Sequence, residues 1–343
     1  MTFDTRRDFL AGLAALGAGT MLPGCQTTGP VPAASGGKPH RIDVHHHIVS
    51  PGYSAALKAR GRGHAKWSVQ SSLEDMDKSG IAMSLTSLIQ PAVWFGDVSL
   101  GRTLARESNE YAARLARDHS GRFGTLATIP VPDTEGSLRE IEYALDTLRT
   151  EGFCMMTSYD GKYLGDSAFW PVLEELNRRK AVIYTHPLAA PCCGSLPTSV
   201  SVGTIEYAVD TTRTMASLMF NGAAARYPDI RWIFSHSGGV TPFLLSRFLR
   251  EETTMKDRQQ KLPSGVMYEL RKFYYDTAQG NHPGALAALM KIAPVSQVLY
   301  GTDFPFRDGA EVNGGLAQYG FSAAELRAID RDNALRLFTR LKA

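Results

Sequence analysis

Residues 41–47 read Arg-Ile-Asp-Val-His-His-His, a short β-rich run in which three imidazoles fall at the end of a candidate strand. Successive strand side chains point to opposite faces, so His45 and His47 share one face and His46 takes the other. Seven further β-rich runs follow, at 82–90, 123–130, 152–158, 181–187, 230–236, 273–278 and 297–303. Between them lie helical stretches at 100–119, 136–150, 168–180, 209–226, 240–258 and 284–292. A last helix, over 322–340, opens with Ser322-Ala323-Ala324-Glu325, a capping-box pattern. Eight strand–helix units predict an α/β fold of the (β/α)8 (TIM) barrel type rather than an open doubly wound sheet. No G-x-G-x-x-G follows the first strand and no G-x-x-x-x-G-K-[ST] occurs, which removes the main nucleotide-binding alternatives.

Composition agrees with a barrel. Hydrophobic residues make up 43% of the 343 and charged ones 21%, enough apolar mass for a full core. The net charge of +3 is spread without a basic block, so nucleic acid is not an expected partner. The four cysteines, Cys25, Cys154, Cys192 and Cys193, form neither a disulfide framework nor a C-x-x-C pair. After residue 40 no apolar run reaches the ~18 residues needed to span a bilayer.

Residues 1–34 read differently. Thr5-Arg6-Arg7-Asp8-Phe9-Leu10 precedes an uncharged Gly- and Ala-rich run from Ala11 to Leu22. A basic start, a short apolar stretch and small residues behind it describe a signal peptide. The paired arginines resemble the twin-arginine export signal. Two processing routes are open. Leu22-Pro23-Gly24-Cys25 resembles a lipoprotein box with Cys25 as the lipidated residue, and Val31-Pro32-Ala33-Ala34 offers an ordinary cleavage site. Residues 35–39 then form a linker, and 40–343 a single barrel domain. The resemblance implies a periplasmic or membrane-anchored extracytoplasmic protein, touching membrane only through a lipid on Cys25.

A barrel builds its site at the C-terminal ends of its strands. Those ends carry His45 and His47 (strand 1), His186 (strand 5), His236 (strand 6) and Asp303 (strand 8). One such histidine alone would be read as a packed residue. Four of the nine histidines at three strand ends, converging with an aspartate, predict a metal site. Neutral imidazoles with a carboxylate suit Zn²⁺, and an incomplete protein shell leaves a position for water or substrate.

The set Ile42–Pro51 (IDVHHHIVSP), Ile183–Pro187 (IYTHP), Phe234–Gly239 (FSHSGG) and Leu299–Phe306 (LYGTDFPF) resembles the amidohydrolase superfamily. Within it, the chain is most similar to the branch containing aminocarboxymuconate-semialdehyde decarboxylase and the non-oxidative aromatic-acid decarboxylases. The likeness runs from about residue 40 to 340 and includes 210–239 and the closing 332–338 (DNALRLF). It implies that His45, His47, His186 and Asp303 hold one divalent metal, zinc first, with manganese or another divalent ion as alternatives. His236 would then act as acid or base beside the metal. The end of strand 4, Cys154-Met155-Met156-Thr157-Ser158, lacks the Lys or acid that bridges two metals in other branches, which argues for a single ion.

The resemblance also implies that Arg247 pairs with a substrate carboxylate, reaching into the neighbouring subunit of a homodimer; a solvated helix arginine is the equal alternative. Arg213, Trp67, Tyr159, Trp94 and Gln279 are read as packing rather than pocket residues, Cys154 as core, and Cys192-Cys193 as two thiols. The expected activity is a metal-dependent carboxy-lyase acting on a small unsaturated or aromatic carboxylic acid. Two other functions stay open: a metal-dependent hydrolase of a lactone, amide or related carbonyl compound, and a non-catalytic exported metal- or solute-binding lipoprotein.

Overall fold

In the computed structural model, the described residues are 39–193 and 199–341. Arg6-Arg7, Cys25 and the small residues at 31–34 lie outside them. Eight strands form one all-parallel sheet in chain order: β1 Arg41–Ile48, β2 Ile81–Leu88, β3 Phe123–Thr128, β4 Gly152–Met156, β5 Val182–His186, β6 Arg231–Phe234, β7 Tyr274–Asp276 and β8 Val298–Leu299. Strands β3, β4 and β5 are buried at every position, the signature of a parallel sheet covered on one face by helices and filled on the other by its own side chains.

The sheet closes where β8 meets β1. Beyond Leu299 the ladder ends, and Tyr300 N turns to Ile329 O at 3.0 Å. The next residues then bond to β1: Val44 N to Tyr300 O at 2.9 Å, Asp303 N to His45 O at 2.8 Å and His47 N to Phe304 O at 2.8 Å. The eighth strand is therefore shorter than the expected 297–303. The segment after it serves as an irregular seam that brings Asp303 beside His45 and His47.

The helices follow from local signals. Asp97 caps the helix Val98–Asp118 by accepting from Leu100 N at 3.0 Å. Ser322 and Glu325 make the expected capping box, with Ser322 N donating to Glu325 Oε2 at 2.8 Å. That last helix does not run unbroken to 340; it widens over Ala328–Asp332 and ends at Leu337. The expected helix at 209–226 instead starts at Val202 and runs to Phe220, which places its first turn at the barrel mouth. Pro51–Lys58, Val69–Ser79 and Gly309–Tyr319 are helices that the stretches named above omit. Among the described residues, no helix is long and apolar enough to cross a membrane.

Candidate metal centre and active site

His45 and His47 enter the site from β1, His186 from the end of β5, and Asp303 from the seam after β8. One ligand atom of each lies within 4.8 Å of all the others, and all four residues are buried. His45 Nε2 stands 3.1 Å from His47 Nε2 and 3.1 Å from Asp303 Oδ1; His47 Nε2 is 3.0 Å from the same oxygen. Donors about 2.1 Å from a common centre and at right angles are about 3.0 Å apart, so these edges fit one divalent cation. The imidazoles are aimed by their other nitrogens. His45 Nδ1 meets Asp276 Oδ2 at 2.8 Å, His186 Nδ1 meets Pro187 O at 3.0 Å, and His47 Nδ1 meets Ser87 Oγ at 3.3 Å. Nδ1 held outward leaves Nε2 as the metal-facing atom.

Asp276, the last residue of β7, is fully buried and joins the parts. Besides His45, it accepts from Tyr184 OH at 2.7 Å, His236 N at 2.8 Å and Ala278 N at 3.1 Å. Asp43 does the same on the other side of β1, accepting from Thr302 Oγ1 at 2.7 Å and from the main-chain N–H groups of His45 and Thr302 at 3.0 Å. Sequence reasoning gave neither acid a role. Asp276 stood inside the run 273–278; the structure ends that strand at Asp276, which puts the acid at the rim.

Electrostatics favour a cation. His186 is held well below the ordinary imidazole range by burial and by its neighbours His47 and His45. Burial lowers His47 as well. At His45 burial also opposes charge, but Asp303 and Asp276 outweigh it and raise the group to about 10. Burial likewise resists charge on Asp303, yet His45 and its hydrogen-bonding imidazoles hold that carboxyl well below its usual range. The carboxylates thus demand positive charge at a place where imidazoles crowd, and a metal ion satisfies both.

His236 follows β6 and opens a run of four left-handed residues, His236 (φ 54), Ser237 (φ 55), Gly238 (φ 73) and Gly239 (φ 64). Its Nε2 lies 3.4 Å from Asp303 Oδ2, beside the cluster. Gln279 (φ 49) donates from Nε2 to that same oxygen, so it belongs to the site, correcting its reading as a packing residue. Asp303 itself has φ 69. Among the described residues, four of the eight non-glycine residues with positive φ therefore sit at this rim, where strain of about 1–3 kcal/mol each is offset by the surrounding hydrogen bonds.

The metal cluster opens into a cavity of about 370 Å³, lined among others by Gln90, His186, Tyr207, Gln279, Phe306 and Arg307. That is the size range of small-ligand sites. Tyr207 accepts from Gln90 Nε2 at 2.8 Å, and the Phe306 ring packs edge-on against His47 with centroids 5.8 Å apart. Asp210, on the helix Val202–Phe220, holds the loop after His186: it accepts from Leu188 N at 2.9 Å, Tyr163 OH at 2.6 Å and Thr157 Oγ1. Arg247 lies exposed on the helix Thr241–Thr254, away from its own chain's cavity lining. Arg213 faces Glu206 at 3.7 Å, Trp94 donates to Asp160 and Trp67 to Ser72. Cys154 is core, while Cys192 and Cys193 are free thiols.

A parallel barrel that gathers three imidazoles and a carboxylate at its C-terminal rim, around a small cavity, defines a metal-dependent barrel protein. Residues 42–340 match the amidohydrolase family, and the chain belongs to it. It is 35% identical to a decarboxylase of Aspergillus niger, over 88% of this chain and 88% of that one. It is 31% identical to a 6-methylsalicylic acid decarboxylase of Penicillium expansum, over 88% of this chain and 97% of that one. A solved structure described as an amidohydrolase II superposes with a TM-score of 0.80 at 27% identity, covering 88% of this chain and all of the other.

Proposed function

We propose that the protein is a non-oxidative decarboxylase of small aromatic carboxylic acids, with hydroxybenzoates of the salicylate type as the first class to test. The observation that carries this is the placement of His236 Nε2 beside a four-donor cluster inside a small cavity bearing two aromatic walls, Tyr207 and Phe306. Relatives that share over 30% of their residues with the chain are decarboxylases, which supports the same reading.

His45, His47, His186 and Asp303 would hold one divalent ion, with zinc first and manganese second by donor chemistry. When bound, the ion supplies a Lewis-acid centre for the oxygens of the acid. The chain supplies the rest. Tyr207 and Phe306 orient the ring, and Gln279 with His236 fixes Asp303. His236 delivers a proton to the ring carbon that carries the carboxyl group. The carbon–carboxyl bond then breaks, its electron pair restores the aromatic ring, and CO₂ leaves. Arg247 of a second copy would pair with the substrate carboxylate through its guanidinium fork. Export through Arg6-Arg7 belongs to the same proposal, with Cys25 lipidation or cleavage at 31–34 as its two endings; replacing both arginines by lysine should leave the precursor in the cytoplasm.

The test is a mixed-substrate assay of the metal-loaded protein that follows CO₂ release and hydrolysis together. Release of CO₂ from 6-methylsalicylate or 2,6-dihydroxybenzoate is expected. Hydrolysis of lactones or amides without CO₂ release would replace the reading with a hydrolase, and binding without turnover would replace it with a binding protein.

A further inference from the structure

The end of the barrel opposite the metal carries a second concavity of about 530 Å³. It lies where β4, β5 and β6 begin, with Gly152, Val182 and Arg231 in its wall. Five cationic side chains line it, Arg178, Arg179, Lys180, Arg231 and Arg340, against two acids, Asp146 and Glu151. We propose that this concavity is a binding site for a phosphate-bearing anion, distinct from the catalytic cavity.

The charges divide into two groups. Arg178 is held by Glu175 at 2.6 Å, and Arg179 by Glu175 and Asp146 at 2.7 Å each. These two arginines are satisfied within the protein. Arg231, Arg340 and Lys180 make no contact ion pair among the described residues, and Arg340 meets Asp146 and Glu151 only at longer range. Arg231 Nη1 donates to Leu337 O at 3.0 Å, and Arg340 Nη1 donates to Leu145 O at 3.2 Å and Thr150 O at 3.1 Å. Main-chain carbonyls thus fix both guanidinium groups while adding no formal negative charge. Each fork has five N–H donors, so donors remain for a ligand. Glu151 offsets them only in part: its Oε2 accepts from Thr125 N at 2.6 Å, and burial raises its carboxyl against the pull of that bond and of Arg340.

Fixed forks with spare donors and an excess of positive charge recognise tetrahedral oxyanions better than chloride, because two or three oxygens can be bonded at once. The phosphate can come from a soluble metabolite or from an anionic lipid headgroup. The experiment titrates inorganic phosphate into the metal-loaded protein by calorimetry, at ionic strength held constant with sodium chloride. One saturable site per chain is expected, weakened at least tenfold in Lys180→Gln and in the Lys180→Gln/Arg340→Gln double variant. The Lys180 side chain makes no hydrogen bond to the main chain among the described residues, so the single variant tests charge without touching the Leu145 and Thr150 carbonyls held by Arg340. Phosphate should also raise the melting temperature of the wild type and not of the double variant. Flotation on phosphatidylglycerol against phosphatidylcholine vesicles separates the sources: selective retention that Lys180→Gln reduces identifies a headgroup, and no retention identifies a soluble phosphate. Absence of saturable binding, or equal affinity in wild type and variants, overturns the proposal.

Discussion

His236 shows most directly how position decides a role. Its imidazole stands outside the set of four ligand atoms yet touches Asp303, so it is placed to move a proton rather than to hold the ion. His236→Ala should keep its metal while losing about 10²-fold or more in kcat, the usual scale for a missing general acid–base. Metal content and turnover measured on one preparation check this; a folded variant that has lost its metal, or that turns over normally, removes the assignment. Asp75 behaves differently. It is buried, and Gly309 N approaches both its oxygens, at 3.3 and 3.2 Å. Burial pushes its carboxyl up to about 6. The folded state therefore binds this proton more tightly than the unfolded chain, whose aspartates titrate near ~3.9. Its contribution to stability is present below pH ~4 and is lost as pH rises through about 6. Asp75→Asn should be less pH-sensitive than the wild type across that window, a difference that paired melting curves from pH 4 to 7 will reveal.

Elements carry these residues into place, and the turn after β6 is the most demanding. Gly239 has φ 64, and a Cβ there would meet Ala208 O at 2.0 Å. Neither the backbone angle nor the space admits a side chain. Gly239→Ala should cost at least ~2 kcal/mol, seen in urea unfolding, and should lower kcat further because His236 sits in the same left-handed run. Elements also mark the limit of sequence reading. His45, His47 and His186 were legible because each lies at the end of a strand with a clear β-rich run. The length of β8 was not, since the seam bonds to β1 and Ile329, which no local pattern announces. Gln279 was missed for a related reason: a lone amide in a loop carries no period, and only the fold brings it to Asp303. Asp276 was not legible because it lies inside the run 273–278 rather than at its end, and only the fold turns it towards His45 Nδ1.

At the scale of the whole molecule, the metal cluster ties β1, β5 and the seam together, so the ion should stabilise the fold as well as serve the reaction. Chelation should lower the melting temperature and abolish turnover, with both restored by adding back one divalent ion per chain. At a metal concentration 100 times its Kd the linkage is worth about 2.7 kcal/mol. An unchanged melting curve after complete metal removal would show that the four ligands are organised without it. The face bearing Arg247 also presents Phe243, four residues earlier on the same helix and 72% exposed. If a second copy covers this face, Arg247→Ala should lose about 2–4 kcal/mol in kcat/KM, and mixing it with His236→Ala chains should restore part of the activity. Mixtures no more active than their components would confine Arg247 to its own chain's surface.

The first and last described residues of the barrel lie at the same end. His40 and Arg41 meet Asp330 at 3.2 Å where β1 begins, and Phe338 and Arg340 border the concavity below β4 to β6. Attachment at either end of the described residues therefore leaves the catalytic mouth unobstructed. A protein immobilised through residue 39 would present its reaction chamber to the medium and its arginine-lined underside to the support. Swapping a neutral support for a cationic or anionic one should accordingly alter how the molecules orient, while substrates keep free access from above.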